Sequence, residues 1–193
     1  MSIGGTVMMY LSRGIVCRGS NKRRLYVRHF GAPIELTETE AQIWLDGRPG
    51  FACLKSVGEL CVLRRLEKRG LVYCEPEHTE RARYMILCRC VICTTRTISL
   101  LPRSKLEKYI LVWLKKAGFH LGIAELISLF EKGIEPCREL LHSENRLVLS
   151  RLIYPCTVMI ANAFENRMMY SSARRQTVDA VMKLLRRKQV FMM

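Results

Sequence analysis

From residue 36 to residue 70, hydrophobic side chains recur at the three- and four-residue spacing that is typical of amphipathic helices. A capping box at Thr37–Glu40 predicts the start of the first helix. Gly47 predicts its end, because glycine suits the left-handed position that follows a helix. A second capping box at Ser56–Glu59 predicts another helix, which ends at Gly70. The leucines of that helix share one face: Leu60, Leu63 and Leu66.

Around these helices the sequence favours β-strands and turns. Thr6–Cys17 and Leu25–Phe30 are predicted to form strands or a loose hairpin, and Phe51–Lys55 a brief helix. Leu71–Glu75 and Arg81–Cys93 are predicted to be two strands joined by an acidic, proline-containing turn. The helix that ends near residue 70 is thus expected to be followed at once by a β-hairpin.

The pattern changes from strand-like to helical in the middle of the chain, and together with Pro102 this change predicts a domain boundary near residues 98–104. The first domain spans residues 1–98, of which residues 1–33 form an N-terminal hairpin or arm. The second domain, residues 104–193, is predicted to be all-helical. Its helices are expected near residues 104–118, 123–132, 135–141, 144–153, 156–169 and 173–189. The chain is therefore assigned to the α+β class.

The order of helix, short helix, helix and β-hairpin over residues 34–93 resembles the winged helix-turn-helix superfamily. The resemblance depends on that order and on the stretch from Leu63 to Val72, in which Gly70 separates a helix from a strand. It covers less than a third of the chain. It implies a winged-helix domain whose helix of residues 57–69 is a recognition helix. In this superfamily that helix enters the major groove of double-stranded DNA, as expected of a transcriptional regulator.

Charge supports a polyanionic partner, because 32 Lys and Arg residues against 17 Asp and Glu residues give a net charge of +15. Arginine can donate a fork of hydrogen bonds to guanine or to phosphate. The last turn of a helix also favours cations through its dipole, which offers an explanation for Lys68 and Arg69 without DNA. The candidate DNA-contacting residues come from the recognition helix, the second strand of the wing and the N-terminal turn: Lys55, Ser56, Arg64, Arg65, Lys68, Arg69, Arg81, Arg83, Arg23 and Arg24.

The tip of the predicted wing is acidic, since it carries Glu75, Glu77 and Glu80. Phosphates would repel such a tip, so the recognition helix rather than the wing is expected to bind DNA. The acidic tip also favours an alternative, a winged-helix module that binds another protein. A further alternative is an RNA-associated basic protein.

Nine cysteines and a basic composition are interpreted as those of a reduced, cytoplasmic protein with free thiols. Cys88 and Cys90 are predicted to lie on one face of a strand, which is typical of small buried side chains. Cys74 and Cys93 complete the only candidate zinc site, but the second pair of closely spaced ligands that zinc sites usually have is missing. A redox-sensing thiol is a third interpretation. No metal and no cofactor is expected.

The sequence offers little catalytic chemistry. The four histidines are scattered, the sequence has no phosphate-binding glycine loop, and Asp46 and Asp179 are its only aspartates. We therefore expect no enzymatic activity. No stretch approaches the roughly 20 apolar residues that cross a bilayer, so no membrane association is expected.

Apolar side chains at helical spacing in the second half favour core packing or a homodimer interface through the C-terminal helices. They are Met159, Ile160, Phe164, Met168 and Met169.

Overall fold

The computed structural model describes residues 8–20, 24–54, 56–96, 102–116, 121–142, 145–154 and 162–193. The chain divides into two compact units. The first contains Met1–Cys90 together with Phe191–Met193, and the second contains Val91–Val190. Helices and strands both occur, so the expected α+β composition is confirmed at that level.

The first unit is built on a three-stranded antiparallel sheet of order β5-β1-β6, and a second small sheet has the order β2-β3-β4. Met9, in the central strand β1, lies opposite Cys53 on one side and Glu75 on the other. The N-terminal residues therefore supply the middle of the sheet. The elements are β1 (Met9–Ser12), β2 (Ile15–Val16), β3 (Leu25–Arg28), β4 (Ile34–Leu36), α1 (Glu38–Asp46), β5 (Ala52–Cys53), a 3₁₀ turn (Val57–Glu59), α2 (Leu60–Lys68), β6 (Val72–Glu75) and α3 (Glu80–Cys88).

Helices α1 and α2 pack against each other, and their buried sides help to form the core of this unit. Trp44, Leu63 and Leu66 are completely buried there. The indole Nε1 of Trp44 donates a 2.9 Å hydrogen bond to the carbonyl of Arg13, so the largest core side chain keeps its polar atom satisfied. The predicted apolar face of α2 is confirmed.

The start of α1 is the predicted capping box. The amide of Thr37 donates to Oε2 of Glu40 at 3.0 Å, and the amide of Glu40 donates to the Thr37 hydroxyl at 3.4 Å. Gly47 follows α1 as predicted, but its φ of −83° is not left-handed. A Cβ atom at this position would lie 2.4 Å from Oγ of Ser12, so close packing rather than φ requires the glycine.

Gly70, by contrast, has a φ of +70° and ends α2 as the sequence predicts. The amide of Gly70 donates to the carbonyl of Glu67, and the amide of Leu71 donates to that of Leu66. This is the hydrogen-bond pattern of a Schellman motif, which satisfies the last carbonyls of a helix.

Two local predictions are wrong. The brief helix at Phe51–Lys55 is not formed, because Ala52–Cys53 is strand β5 and pairs with β1. The strand at Arg81–Cys93 is also not formed, because Glu80–Cys88 is helix α3. Within the described residues, β6 therefore has no hairpin partner after it, and its neighbour in the sheet is β1.

The physical reason lies at the start of α3. The Thr79 hydroxyl accepts a 3.1 Å hydrogen bond from the amide of Ala82, and Glu80 adds a negative charge to the first turn, where it complements the helix dipole. The buried Tyr84 and Ile86 are two residues apart, and this spacing imitates a strand. The acidic turn is consequently the approach to a helix, and not the tip of a wing.

The second unit is mainly helical, but residues 104–193 are not all-helical as predicted, because Val190–Met192 forms a strand. Its elements are β7 (Ile92–Thr94), α4 (Lys105–Lys116), α5 (Ile123–Glu131), α6 (Arg138–Leu141), α7 (Arg146–Ile153), α8 (Ala163–Met169) and α9 (Arg174–Arg186), and β8 (Val190–Met192) begins at its end. The helices expected near residues 104–118, 123–132, 144–153 and 173–189 are confirmed. Only the end of the helix expected near 156–169 is seen, as α8, because residues 155–161 lie outside the described part.

Three of the apolar side chains considered for a dimer interface belong to the core of this unit. Phe164, Met168 and Met169 on α8 are each at most 6% exposed, so they cannot form the dimer interface considered from the sequence. Met159 and Ile160 lie outside the described residues. None of the helices in the described ranges is both long and apolar enough to cross a membrane.

The first turn of α4 is linked to the end of α9 by a buried ion pair. The amide of Glu107 donates to the hydroxyl of Ser104 at 3.1 Å, so Ser104 caps the helix. The Glu107 carboxylate is nearly fully buried and accepts a 2.6 Å hydrogen bond from Arg187, which follows α9. Glu107 thereby connects the start of α4 to the end of α9.

Candidate nucleic-acid interface

Helix α2 presents a cationic surface to solvent. Leu63 and Leu66 turn inward, while Arg64, Arg65 and Lys68 are exposed. We call these three exposed residues the basic face of α2. Ser56 precedes the helix and is exposed, but its hydroxyl makes no capping hydrogen bond, so the predicted second capping box is wrong. The helix opens instead with the 3₁₀ turn Val57–Glu59.

One flank of α2 is joined to α1 through Glu40. The Glu40 side chain is only 5% exposed, and its Oε1 accepts a 3.0 Å hydrogen bond from Nη1 of Arg69. Nε of Arg65 lies 3.9 Å from the same oxygen. Burial opposes ionisation of Glu40, but the amide of Thr37 and the Arg69 guanidinium outweigh it, so the pKa of Glu40 falls below its usual value.

The other flank of α2 is joined to β6. Nη1 of Arg64 donates to Oε2 of Glu67 at 2.6 Å, and Sγ of Cys74 donates to Oε1 of the same carboxylate at 2.9 Å. Burial and the bond to Glu67 raise the pKa of Cys74 to about 12, so this residue is a neutral thiol at physiological pH. Cys74 therefore acts as a hydrogen-bond donor here.

Lys68 lies between the two flanks and is exposed. No hydrogen bond or ion pair holds its side chain within the part of the chain that the structure describes. The side chains of Arg64 and Arg65 remain 53% and 62% exposed despite their ion pairs. All three cations of the basic face are thus accessible to an anionic partner.

The second sheet brings another predicted cation to the end of α2. Nη2 of Arg69 donates to the backbone carbonyl of Glu35 at 3.0 Å, and Nε of Arg24 lies 3.7 Å from the Glu35 carboxylate. Glu35 thus brings Arg24, which precedes β3, close to Arg69 at the end of α2. Sequence separation gives no indication of this grouping.

The remaining predicted contacts are placed elsewhere or not described. Lys55 and Arg23 lie outside the described residues. Arg81 is exposed in the first turn of α3, and the guanidinium carbon of Arg83 lies 5.9 Å from the ring centre of Phe51. Their predicted position on the second strand of a wing is wrong, because that strand is a helix.

A buried arginine near the same end of α2 is not among the residues predicted from the sequence. Arg13 is only 5% exposed, its guanidinium lies 4.1 Å above the centre of the Tyr73 ring, and it donates a hydrogen bond to Nε2 of His29. Burial and the charge of Arg13 lower the pKa of His29 to about 4, so His29 is neutral at pH 7. The turn-like context of Arg13, next to Gly14, gives no signal of this role.

The cysteines do not share a strand face as expected. Cys88 is the last residue of α3, and Cys90 follows it with Sγ donating to the carbonyl of Ile86 at 3.3 Å. Cys93 belongs to β7, and burial raises the pKa of its thiol. Among the residues that are described, no three or more His, Cys, Asp or Glu side chains form a group able to hold a metal ion.

The arrangement provides an exposed cationic helix with two ion-paired flanks and a neighbouring arginine on a sheet. In comparisons with known proteins, no protein-family model, no curated protein and no solved structure matches this chain.

Proposed function

We propose that this protein binds double-stranded DNA through the basic face of α2 and acts as a regulator of transcription. The observation that carries the proposal is that one side of α2 is buried in the core and the opposite side is exposed and cationic. Leu63 and Leu66 fix the helix in a core, and Arg64, Arg65 and Lys68 project from the other side. A helix held in this way can offer its cations to a groove without losing its own support.

Local charge agrees with the proposal. Five cations surround three carboxylates at this end of the unit, so the surface keeps a positive charge after pairing. The members are Arg24, Arg64, Arg65, Lys68 and Arg69, with Glu35, Glu40 and Glu67. The largely exposed pair of Arg64 with Glu67 contributes only about 0–1 kcal/mol, and Arg65 lies 3.9 Å from Glu40, beyond hydrogen-bond distance, so phosphates can compete for both arginines. Arg69 is tied to a buried carboxylate and is assigned a supporting role.

We further propose that α1, β5, α2 and β6 form a variant of the winged helix-turn-helix in which β1 takes the sheet position of the missing hairpin strand. Two features support this assignment. Helices α1 and α2 pack together, and β6 follows α2 after Gly70. In this variant the helix, and no wing, contacts DNA. The acidic residues near Glu77 then lie before α3 and do not oppose the interaction at a groove.

The proposal is tested by titrating fluorescent random-sequence duplex DNA with the full chain at several salt concentrations. Binding through the basic face predicts measurable affinity at about 50 mM salt. It also predicts that the logarithm of the binding constant falls linearly with the logarithm of the salt concentration, with a slope near −0.9 for each phosphate neutralised. If no duplex binding is found at about 50 mM salt, the proposed function is wrong.

A further inference from the structure

We infer that Phe30, in the turn between β3 and β4, stacks on an unpaired base beside the duplex that α2 binds. The inference rests on the proposed function and extends it to the kind of DNA recognised. The side chain of Phe30 is 70% exposed, although it is large and apolar. A single exposed apolar residue is ordinary, so the argument depends on where this ring lies and on what holds it.

His29 connects the ring to the C-terminal end of α2. A Cβ atom on Gly70, the residue after Arg69, would be 3.4 Å from Nδ1 of His29. The rings of His29 and Phe30 are in contact, with centroids 4.3 Å apart and planes tilted by 59°. Phe30 therefore lies beside the residue that borders the end of α2.

Cations lie along the second sheet. Arg28, two residues before Phe30 at the end of β3, is exposed, and Arg69, next to Gly70, bonds to the carbonyl of Glu35 in β4. Arg24, which pairs with the Glu35 carboxylate, precedes the other end of β3. A sugar-phosphate backbone that leaves the basic face of α2 would pass these cations. An aromatic ring next to a cationic track is the combination that binds single nucleic-acid strands, through stacking on bases and attraction of phosphates.

The support of the ring is firm. His29 is fixed by its hydrogen bond to the buried Arg13, which is itself stacked on Tyr73. Arg13 also accepts from the indole of Trp44 through its carbonyl. A side chain next to such an anchored residue loses less freedom on binding than one on an unsupported loop, so more of the stacking energy appears as affinity.

Magnitudes favour a base that is already unpaired. Opening a stacked duplex step costs as much free energy as stacking one base on an aromatic side chain returns, or more. One phenylalanine therefore cannot open an intact duplex without further wedges. It can bind a base at a single-stranded extension, where that cost is absent.

The test compares three DNAs: a blunt duplex, the same duplex with a single-stranded extension of about four nucleotides on either strand, and the single strand alone. The wild-type chain is compared with Phe30→Leu, which keeps an apolar side chain without a ring, and with Phe30→Trp, which keeps a ring. We expect the wild type to prefer an extended duplex by roughly 5- to 100-fold over the blunt one, as the stacking energy implies. Phe30→Leu should lose the preference and bind blunt duplex unchanged, and Phe30→Trp should keep it.

The two proposals fail in different ways. Blunt-duplex binding without a preference for the extended duplex, or a preference that survives in Phe30→Leu, overturns the role of Phe30 and leaves the proposed function standing. Absence of binding to all duplexes overturns both. Binding to the single strand that is tighter than to any duplex also overturns the inference, since the duplex would then contribute nothing. As a control, thermal unfolding of both Phe30 variants should show a cooperative transition like that of the wild type.

Discussion

The guanidinium of Arg69, at the end of α2, donates a 3.0 Å hydrogen bond to the carboxylate of Glu40, which is buried in the first turn of α1. The other oxygen of Glu40 accepts from the amide of Thr37. One carboxylate thus caps its own helix and anchors a second one. It thereby sets the position of the helix whose exposed face is proposed to contact DNA.

Replacement of Glu40 should remove both the side-chain cap of α1 and the anchor of Arg69, and so destabilise the fold. Glu40→Ala removes half of the capping box and leaves Arg69 without its buried partner, for which we expect a loss of about 2–3 kcal/mol in the free energy of unfolding. Urea denaturation measures it. Glu38→Ala is the matched control, because Glu38 is exposed in the same helical turn, and it should change stability by less than about 0.5 kcal/mol. Equal effects of the two changes would contradict this role of Glu40.

Close packing at Gly47 predicts a steric effect of a single methyl group. In Gly47→Ala the new Cβ would meet Oγ of Ser12 at 2.4 Å and the Tyr10 ring at 2.8 Å, which should cost about 1–3 kcal/mol. Gly58→Ala serves as the comparison, because the nearest atom to its new Cβ would be Oγ of Ser56 at an ordinary 3.8 Å. That variant should be neutral or gain about 0.4–1 kcal/mol. Thermal or urea unfolding of the two variants measures the difference in stability. A Gly47→Ala variant as stable as the wild type would show that the contact is not tight.

His29 predicts a pH dependence of stability. Its pKa is about 4 in the folded chain, against about 6.5 when unfolded, so the unfolded state binds more protons between these values. The contribution of His29 is therefore complete above pH 6.5 and is lost as the pH falls toward 4. His29→Gln should flatten the fall in stability over this window, as measured by urea unfolding at each pH. His78→Gln, at an exposed position, should leave it unchanged. If both variants kept the wild-type dependence of stability on pH, the lowered pKa of His29 would be contradicted.

The thiols should differ in reactivity according to burial. Cys61 is exposed on the same side of α2 as Arg64, Arg65 and Lys68, whereas burial raises the pKa of Cys90 to about 12. Iodoacetate at pH 7.5 should modify Cys61 early and Cys90 last, as peptide mass spectrometry would show. Because the adduct is anionic, it should weaken DNA binding, and Cys61→Ser should resist this inhibition. Inhibition that persists in Cys61→Ser would contradict the position of Cys61 at the interface.

Local signals predict some of these features and long-range contacts determine the rest. The Thr37 cap, the glycine stop at Gly70 and the two faces of α2 follow from residues three or four positions apart, so the sequence predicts them. The sequence predicts a strand in place of helix α3 because Tyr84 and Ile86 imitate alternation, and because the cap at Thr79 lacks the acidic residue of a capping box. The central position of β1 depends on pairing with residues more than 40 positions away, for which the sequence gives no local signal.

The site shows the same division. Arg64, Arg65 and Lys68 could be predicted as an exposed group from helical spacing alone. The anchoring of Arg69 on Glu40, 29 residues earlier, could not, and neither could the contact of His29 with the end of α2. The predicted wing is absent from the described residues for the same reason, since β1 occupies the place beside β6.

The central claim is tested most directly by comparing two double variants that remove the same charge. Arg65→Ala with Lys68→Ala alters the basic face of α2, and Lys105→Ala with Lys108→Ala alters exposed lysines of α4. The measurement is the binding constant for duplex DNA and its logarithmic salt slope. We predict that the α2 variant binds on the order of tenfold more weakly with a slope reduced by about 1–2, while the α4 variant stays within about twofold of wild type. Equal losses in both variants, or no loss in the α2 variant, would contradict DNA binding through α2.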